Sequence, residues 1–580
     1  MTTSLVPPAD VAVHRAQVEA AFGIDRLRAL IGDTADAGPE TIAAILEEAS
    51  KFASAVLAPL NPQADRAGCA LEHGRVRTAP GHREAWRAYV EAGWLGVDQP
   101  AAVGGMDLPI VVTAACQALF DRSNVAFGML PTAQRAAARL LGAHADDDLK
   151  AEWLPHLISG EWSATICISE PDAGSDVGRI RTLAEPLPDG SWSITGEKIW
   201  ISYGDHDLAG RIGHCLLART PGAAPGGAGL SLFLVPDRIP GLDGALENNG
   251  VVVRRIEEKL GLHGSPTCAM GFEGARGRLI GATGRGLAQL FTMITTMRLM
   301  VAVQGLAIAD GAVDVAFDYA QERRQGGPAD APATPICEHA DVQRMLMGMI
   351  SRVEVLRGLV FTAAVQADLG RLEPDKDARE AAQALTGWLL PIAKTFGGDT
   401  AFEVSSEAIQ VLGGAGYVKD WPVEQALRDS RIFTVFEGTS GIQGLDLLHR
   451  RLRRDEGRGV KAFLAYARAD LEAKGAESPE IAARLGRTLD LLADAADRLA
   501  PSNAPADAMA CNFLRLAALA ATGWVALRLS ALPAADPVGR RLSAAGRYWL
   551  SDLDLRAVQE HGQICLGPER LDLYDAVRRA

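Results

Sequence analysis

Three segments of the chain carry residue types that could do chemistry, and each also has a plainer structural explanation. The first, Cys167-Ile-Ser-Glu-Pro-Asp-Ala-Gly-Ser-Asp176, is a short apolar run opening into a loop of Gly, Ser, Asp and Pro. It reads as a polar turn leaving a strand or as a ligand-contacting loop. In the second, Gly196-Glu-Lys-Ile-Trp-Ile-Ser202, strand alternation puts Trp200 and Ser202 on one face. There an indole can cover a flat ring and a hydroxyl can reach a ring nitrogen; the competing reading is an indole in the core. The third, Arg428-Asp-Ser-Arg-Ile-Phe-Thr-Val-Phe-Glu437-Gly-Thr-Ser-Gly-Ile-Gln443, sets one carboxylate in an apolar run beside Gly438, which permits close backbone approach. Glu437 either turns outward to water or is held inward as a base.

The elements around these segments change character along the chain. After a weakly patterned leader, Ile42, Ile45, Leu46, Ala49, Phe52, Ala53 and Val56 recur at helical spacing. Similar patterns run from Trp86 to Ala92 and from Val111 to Leu141. Past Trp162 come short strand-like runs, 191–195, 199–202, 215–218 and 230–235, separated by Gly, Pro and Asp turns. Pro188-Asp189-Gly190 marks a turn between two of them. These runs predict a compact antiparallel sheet or barrel ending near Ile280. Helical periodicity returns at Gly286, breaks at Gly326-Gly327-Pro328 and again at Gly413 to Gly416, and continues to Arg454. A last Ala/Leu-rich helical region follows Gly457, interrupted at Pro501 and from Pro533 to Pro537.

Composition narrows the class. A chain of 580 residues exceeds a single small core, so two to four packed units are expected. With 48% hydrophobic and 22% charged residues, wholesale disorder is excluded. A net charge of -14 gives no general attraction to polyanions, so no nucleic-acid partner is expected. The run His449-Arg450-Arg451-Leu452-Arg453-Arg454 reads as a solvated helix end. The eight cysteines show no CxxC pair and no neighbouring His at metal spacing, which predicts reduced thiols and no metal. No stretch holds enough uninterrupted apolar residues to span a bilayer, and the N-terminus lacks a charged and an apolar targeting region. The expectation is a cytoplasmic protein without membrane insertion.

Taken together, in this order and spacing, the three segments resemble those of the acyl-CoA dehydrogenase family. Further matches are Glu258-Lys-Leu-Gly-Leu-His-Gly-Ser265, Glu322-Arg-Arg-Gln-Gly326 and Gln410-Val-Leu-Gly-Gly-Ala-Gly-Tyr417. The resemblance runs from about Ile42 to Leu448. It implies a mainly α fold with a central β-barrel: an α domain, a β-barrel domain and a four-helix α domain, followed here by a C-terminal helical extension. The corresponding boundaries are a leader at 1–38, the N-terminal α domain at 39–165, the barrel at 166–284, the four-helix domain at 285–456 and the extension at 457–580. That extension resembles the longer bacterial members, which include dehydrogenases of 3-(methylthio)propanoyl-CoA and of long-chain acyl-CoA.

The implied chemistry is FAD-dependent α,β-desaturation of an acyl-CoA thioester. Glu437 matches the family's base, desolvated beside Phe436, and its N–H, with a flavin ribityl hydroxyl, matches the donors to the thioester oxygen. Ser169 and Ser202 match hydroxyls on the flavin's pyrimidine edge and N5, Trp200 the indole against the ring, and Ile168 and Gly174 backbone contacts. Arg323, Gln410, Gly414 and Thr439 match contacts to the pyrophosphate and adenosine end of FAD, some of them across a dimer interface. Ser175, Arg298, Phe436 and Gly438 are the implied acyl-CoA contacts. The resemblance further implies a homodimer or homotetramer and electron-transfer flavoprotein as acceptor. Two other readings stay open: an acyl-CoA oxidase using O2, and a flavin-bearing, alkylation-response-like protein that binds DNA. Three positions depart from the family pattern: Phe436 where many members have Tyr, Gly326 in place of an aromatic, and Gly441 in place of a polar cofactor contact.

Overall fold

Most of the strands between Trp162 and Leu279 pair into one seven-stranded sheet in the computed structural model, which describes residues 6–32, 38–475, 478–501 and 506–578. The chain divides into two units: Lys51–Leu108 with Ser123–Met300, and Met1–Ser50 with Pro109–Arg122 and Val301–Ala580. The helix Ile110–His144 passes from one to the other and is non-helical at Asn124, close to that boundary.

The first unit holds the strands. β1 (Ala70–Glu72) and β2 (Arg75–Arg77) form a hairpin inside a region whose periodicity predicts helix alone. The main strands are β3 (Trp162–Cys167), β4 (Leu183–Pro186), β5 (Trp192–Ser202), β6 (Arg211–Arg219) and β7 (Leu230–Pro236). A small pair, β8 (Arg238–Pro240) and β9 (Leu246–Asn248), precedes β10 (Val251–Ile256) and β11 (Thr267–Leu279). The seven-stranded sheet runs β10-β11-β5-β4-β6-β3, and β7 pairs with both β11 and β6. A ring of pairings thus passes through β11, β5, β4, β6 and β7. The sheet is mixed, which corrects the antiparallel expectation. β3 lies parallel to β6 because β4 and β5 intervene in sequence between them.

Residues 230–235 and 215–218 read as unbroken apolar runs because both of their faces are covered. Cys215, Leu217, Leu232 and Leu234 pack in one core with Trp153, Leu157 and Met293. Their alternate neighbours Leu216, Ala218, Phe233 and Val235 pack in a second with Ile194 and Phe272. The turn at Pro188-Asp189-Gly190 joins β4 to β5, with Asp189 Oδ1 accepting from the Ser191 amide and Gly190 at φ 83°. The runs 191–195 and 199–202, read as separate strands, form one strand that continues through Gly196. A Cβ there would stand 2.4 Å from Thr182 Oγ1, so glycine keeps the strand continuous beside its neighbour rather than ending it.

The second unit is helical around the helices Ala340–Leu372, Lys376–Leu412 and Ala510–Ser530. The helices end where glycine and proline predict, at Glu322, Leu412 and Leu499. The leader is less plain than its sequence: Val11–Ala20 and Ile24–Ile31 are helices, and the first buries His14 and Gln17 alongside Val13 and Val18. These polar groups join a buried charge network. Arg357 Nη2 bonds Asp310 Oδ1 at 2.5 Å and its Nε bonds Glu354 Oε2 at 3.1 Å. Arg122 Nη1 reaches Asp310 Oδ2 at 2.6 Å, and Gln17 Nε2 donates to Glu354 Oε2 at 2.7 Å. Burial first, then the Arg357 charge, pushes the His14 pKa down to about 3, so it stays neutral. Burial opposes ionisation of Asp310, but Arg357 and Arg122 outweigh it and hold the carboxyl well below its ordinary range.

Two stretches, Gly286–Glu322 and Asp507–Ser530, are long and apolar enough to cross a membrane by length and composition, which corrects the expectation that none is. Both are mostly buried inside the protein, as core helices are. The charge network yields a testable consequence. Removing one partner of a buried ionic network costs about 3–5 kcal/mol. Arg357→Met is therefore expected to lower the urea midpoint of this unit's unfolding by that equivalent; a change below about 1 kcal/mol would contradict the pairing.

Candidate active site

The strand β5 departs from regular geometry at the second motif. Ile201 pairs with Cys268 and Lys198 with Met270, so Ile199 and Trp200 together face Ala269 alone. This is a β-bulge, a device that re-aims a side chain. Trp200 takes φ 65° and leaves its indole 60% exposed. An L-residue held there costs about 1–3 kcal/mol, and such strain gathers at functional sites. The bulge lies on the N-terminal side of Ile201, and pairing is regular again at Ile201 and Ser202.

The loop of the first motif is tied to that strand. The Ile199 amide donates to Ser169 O at 2.9 Å, and Thr165 Oγ1 donates to Ser202 O at 2.7 Å. Glu170 and Ala173 close a tight turn with two backbone bonds of 3.0 Å. The strongest tie is ionic. Lys198, with 0% exposure, places Nζ 2.8 Å from Glu170 Oε1, 2.8 Å from Leu217 O and 3.1 Å from Ile168 O. Glu170 also accepts from the Arg181 and Thr182 amides and from Thr182 Oγ1. Burial works against the Glu170 charge, but Lys198 and these donors prevail and lower its pKa. Burial lowers that of Lys198 against the opposing pull of Glu170. Neither residue is among those that sequence reasoning picks out, although both lie inside its motifs. A Lys two residues before the Trp and a Glu after the Ser were the available signal.

Of the other residues expected to act in this unit, Ile168, Ser169 and Ser202 are half-buried, whereas Gly174 and Ser175 are exposed, with nothing within 4 Å of a Cβ at Gly174. Among the described residues no protein group takes the side-chain hydroxyl of Ser169 or of Ser202 as a hydrogen-bond partner. Arg298, on the helix Gly286–Glu322, is buried.

In the helical unit Glu437 is half-buried and takes φ 53°, followed by Gly438 at φ 88°. Two consecutive left-handed residues turn both carbonyls out of any helix. Side chains satisfy them: Gln443 Nε2 donates to Glu437 O at 3.0 Å and to Gly438 O at 3.2 Å, and Lys394 Nζ donates to Gly438 O at 2.8 Å. Phe436 stacks on Phe433, ring centroids 5.7 Å apart. Thr439 then caps the next helix, its Oγ1 accepting from the Ile442 amide, which leaves the hydroxyl hydrogen to donate elsewhere. Arg323, Gln410 and Gly414 lie exposed at helix ends. Gly326 has a local reason to be glycine: it takes φ 73°, and a Cβ would meet His339 Cε1 at 3.0 Å.

Two other expectations need correction. Cys565 does have a histidine at helical metal spacing, His561, and the ligand atoms of Asp494, His561 and Cys565 lie within 4.8 Å of one another. Asp494 is already held by Arg498 Nε at 2.5 Å, so the group joins two helices as a salt-bridged cluster. The run from His449 to Arg454 is only partly solvated: Leu452 is buried, and Arg453 Nε donates to Leu499 O at 3.0 Å.

Family models match most of the chain: the N-terminal domain of acyl-CoA dehydrogenase at 39–161, its middle domain at 165–275 and its C-terminal domain at 284–452. The chain belongs to the acyl-CoA dehydrogenase family, oxidoreductases of the CH–CH group. It is similar to 3-methylmercaptopropionyl-CoA dehydrogenase of Ruegeria pomeroyi, 39% identical over 504 residues that cover 85% of each chain. It is also similar to a broad-specificity linear acyl-CoA dehydrogenase of Mycobacterium tuberculosis, 35% identical over 73% of this chain and 72% of the relative. In fold it resembles an acyl-CoA dehydrogenase of Bacillus anthracis solved in complex with FAD. That likeness has a TM-score of 0.77 at 19% identity and covers 97% of this chain and 93% of the other.

The Glu170–Lys198 pair makes the loop's stability depend on acidity. Because the folded-state pKa of Glu170 lies below its ordinary 4.5, the stabilisation is complete above that value and is lost as pH falls through the folded one. Lys198→Met, which strands the carboxylate, is expected to destabilise this unit by about 3–5 kcal/mol at pH 7. The deficit against the unaltered protein should shrink in urea titrations carried out below pH 4.5. A deficit that stayed constant down to low pH would show that the ion pair is not its origin.

Proposed function

We propose that this chain desaturates an acyl-CoA thioester between its α- and β-carbons, with Glu437 as the base for the α-proton and FAD as resident cofactor. When bound, the flavin supplies the acceptor for the β-hydride. The observation that carries the reading is the left-handed backbone of both Glu437 and Trp200, two bulky L-residues held in strained conformations inside two of the three motifs.

The residues present fit a flavin. An exposed indole on a bulge, two half-buried hydroxyls without protein partners among the described residues and an open glycine loop are the donor set that a flat ring with a polar edge would occupy. In this reading Ser169, Ser202, Trp200, Ile168 and Gly174 hold the ring. Arg323, Gln410, Gly414 and Thr439 take the adenosine and pyrophosphate end, three of them on exposed surface where a second copy of the chain can share them. Ser175, Arg298, Phe436 and Gly438 contact the acyl-CoA. The ring of strand pairings is read as the family's β-barrel, and the domain boundaries as those stated from the sequence.

Glu437 draws the α-proton onto its carboxylate as the α,β double bond forms. Its own N–H, turned by the left-handed backbone, donates to the thioester oxygen as negative charge develops there. The half-buried setting of Glu437 beside Phe436 keeps its carboxylate partly out of bulk water, next to where the acyl chain would lie. Electrons leave to electron-transfer flavoprotein. A short acyl group is the favoured substrate class, since the relative 39% identical is named for 3-methylmercaptopropionyl-CoA.

The deciding experiment mixes the FAD-loaded protein anaerobically with acyl-CoA thioesters from butanoyl to palmitoyl, 3-(methylthio)propanoyl included. Bleaching of the oxidised flavin within seconds, followed by slow recovery in air, is expected; fast recovery would favour an oxidase. A DNA shift at physiological salt without bleaching would favour the DNA-binding reading. Glu437→Gln should keep its flavin and lose at least about 1,000-fold in the bleaching rate, and full activity would assign the base to another carboxylate. Trp200→Gly, which relieves the strained φ, should leave the flavin-free protein no less stable while weakening flavin retention about tenfold or more. Unchanged retention would remove the indole from the cofactor site.

A further inference from the structure

Resting on Glu437 as the base, we propose that Lys394 is the positioning residue of the proton-abstracting loop, acting with Gln443 through the carbonyl of Gly438. Lys394 and Gln443 are both buried to 0% exposure, in separate helices, and both donate to that carbonyl, at 2.8 and 3.2 Å. Gln443 also donates to Glu437 O at 3.0 Å. Helices and sheets satisfy carbonyls with backbone amides, but the paired left-handed residues 437 and 438 turn theirs away from such partners. The buried ammonium and amide supply what the backbone lacks.

A second point of attachment lies one turn along the same helix, Lys376–Leu412. A Cβ at Gly398 would stand 3.0 Å from the carbonyl carbon and oxygen of Phe433, so the segment entering the loop rests directly on helix backbone. Lys394 and Gly398, spaced i and i+4, share one helix face. The helix therefore grips the segment before Glu437 through a missing side chain and the residue after it through a buried cation. Misplacing a reacting group by about 1 Å lowers a rate on the order of 100-fold, so this grip sets turnover rather than substrate affinity.

The test compares Lys394→Met and Gln443→Met with the unaltered FAD-loaded protein. It uses 3-(methylthio)propanoyl-CoA or butanoyl-CoA, whichever reduces the unaltered flavin. Limiting anaerobic reduction rate and thioester dissociation constant are read separately. Lys394→Met is expected to keep flavin and bind thioester within about threefold while its limiting rate falls about 100-fold, and Gln443→Met to fall in the same direction. A rate within threefold of the unaltered one in Lys394→Met would overturn the proposal. Equal loss of affinity and rate would overturn it too. If Lys394→Met yields no flavin-loaded protein, Gln443→Met decides on the same criteria, and failure of both to load would leave a purely architectural role and end the proposal. Glu437→Gln run alongside separates the two claims: were it fully active, the assignment of the base would fail first.

Discussion

A lysine buried out of reach of water must be met by oxygen atoms, and this chain uses two such lysines to fix strained backbone. Lys198 binds Glu170 and the carbonyls of Ile168 and Leu217; Lys394 binds the carbonyl of Gly438. Each stands within a few bonds of an L-residue in left-handed conformation, Trp200 in one unit and Glu437 in the other. A buried charge without acceptors is far more costly than a left-handed residue; for Lys394 the oxygen comes from left-handed Gly438, whereas for Lys198 it comes from Glu170 and from two carbonyls of ordinary conformation.

In the sheet unit, the constraint explains why the loop Ser169 to Asp176, rich in turn residues and exposed at Gly174 and Ser175, is nevertheless tied down. Its carboxylate is committed inward, and Thr182 and Arg181 complete the shell of donors. In the helical unit, the long helix Lys376–Leu412 supports the segment around Glu437 through one lysine and one glycine, while Thr439 opens the following helix immediately after the turn. Both arrangements place candidate site residues on short irregular stretches and anchor those stretches to regular elements, which is the common division of labour between loop and scaffold.

Much of the element order was legible in the sequence. Glycine and proline mark the helix ends at Glu322 and Leu412 and the turn before β5, because these residues act locally. The double-faced burial of β6 and β7 made them continuous apolar runs, easily read as strands. What the sequence concealed depends on partners distant along the chain. The runs 191–195 and 199–202 are one strand through Gly196, a site of close approach to Thr182. The bulge at Ile199 and Trp200 arises in the pairing with β11, which spacing along β5 alone does not reveal. The leader's helices hide because their buried face includes His14 and Gln17, whose partners Arg357 and Glu354 lie more than 300 residues away. The burial of Lys198 and Lys394 is hidden for the same reason: a charge's burial is decided by what folds over it.

Whether Glu437 is held ready to take an α-proton can be read by solvent hydrogen exchange at the α-carbon of a 3-thia-acyl-CoA, in which sulfur replaces the β-carbon and desaturation cannot follow. In deuterium oxide, the flavin-loaded protein is predicted to introduce deuterium at that carbon catalytically, as read by mass spectrometry, and the Glu437→Gln protein to introduce none above the uncatalysed rate. Exchange by Glu437→Gln at the rate of the unaltered protein would contradict the assignment of Glu437 as the base.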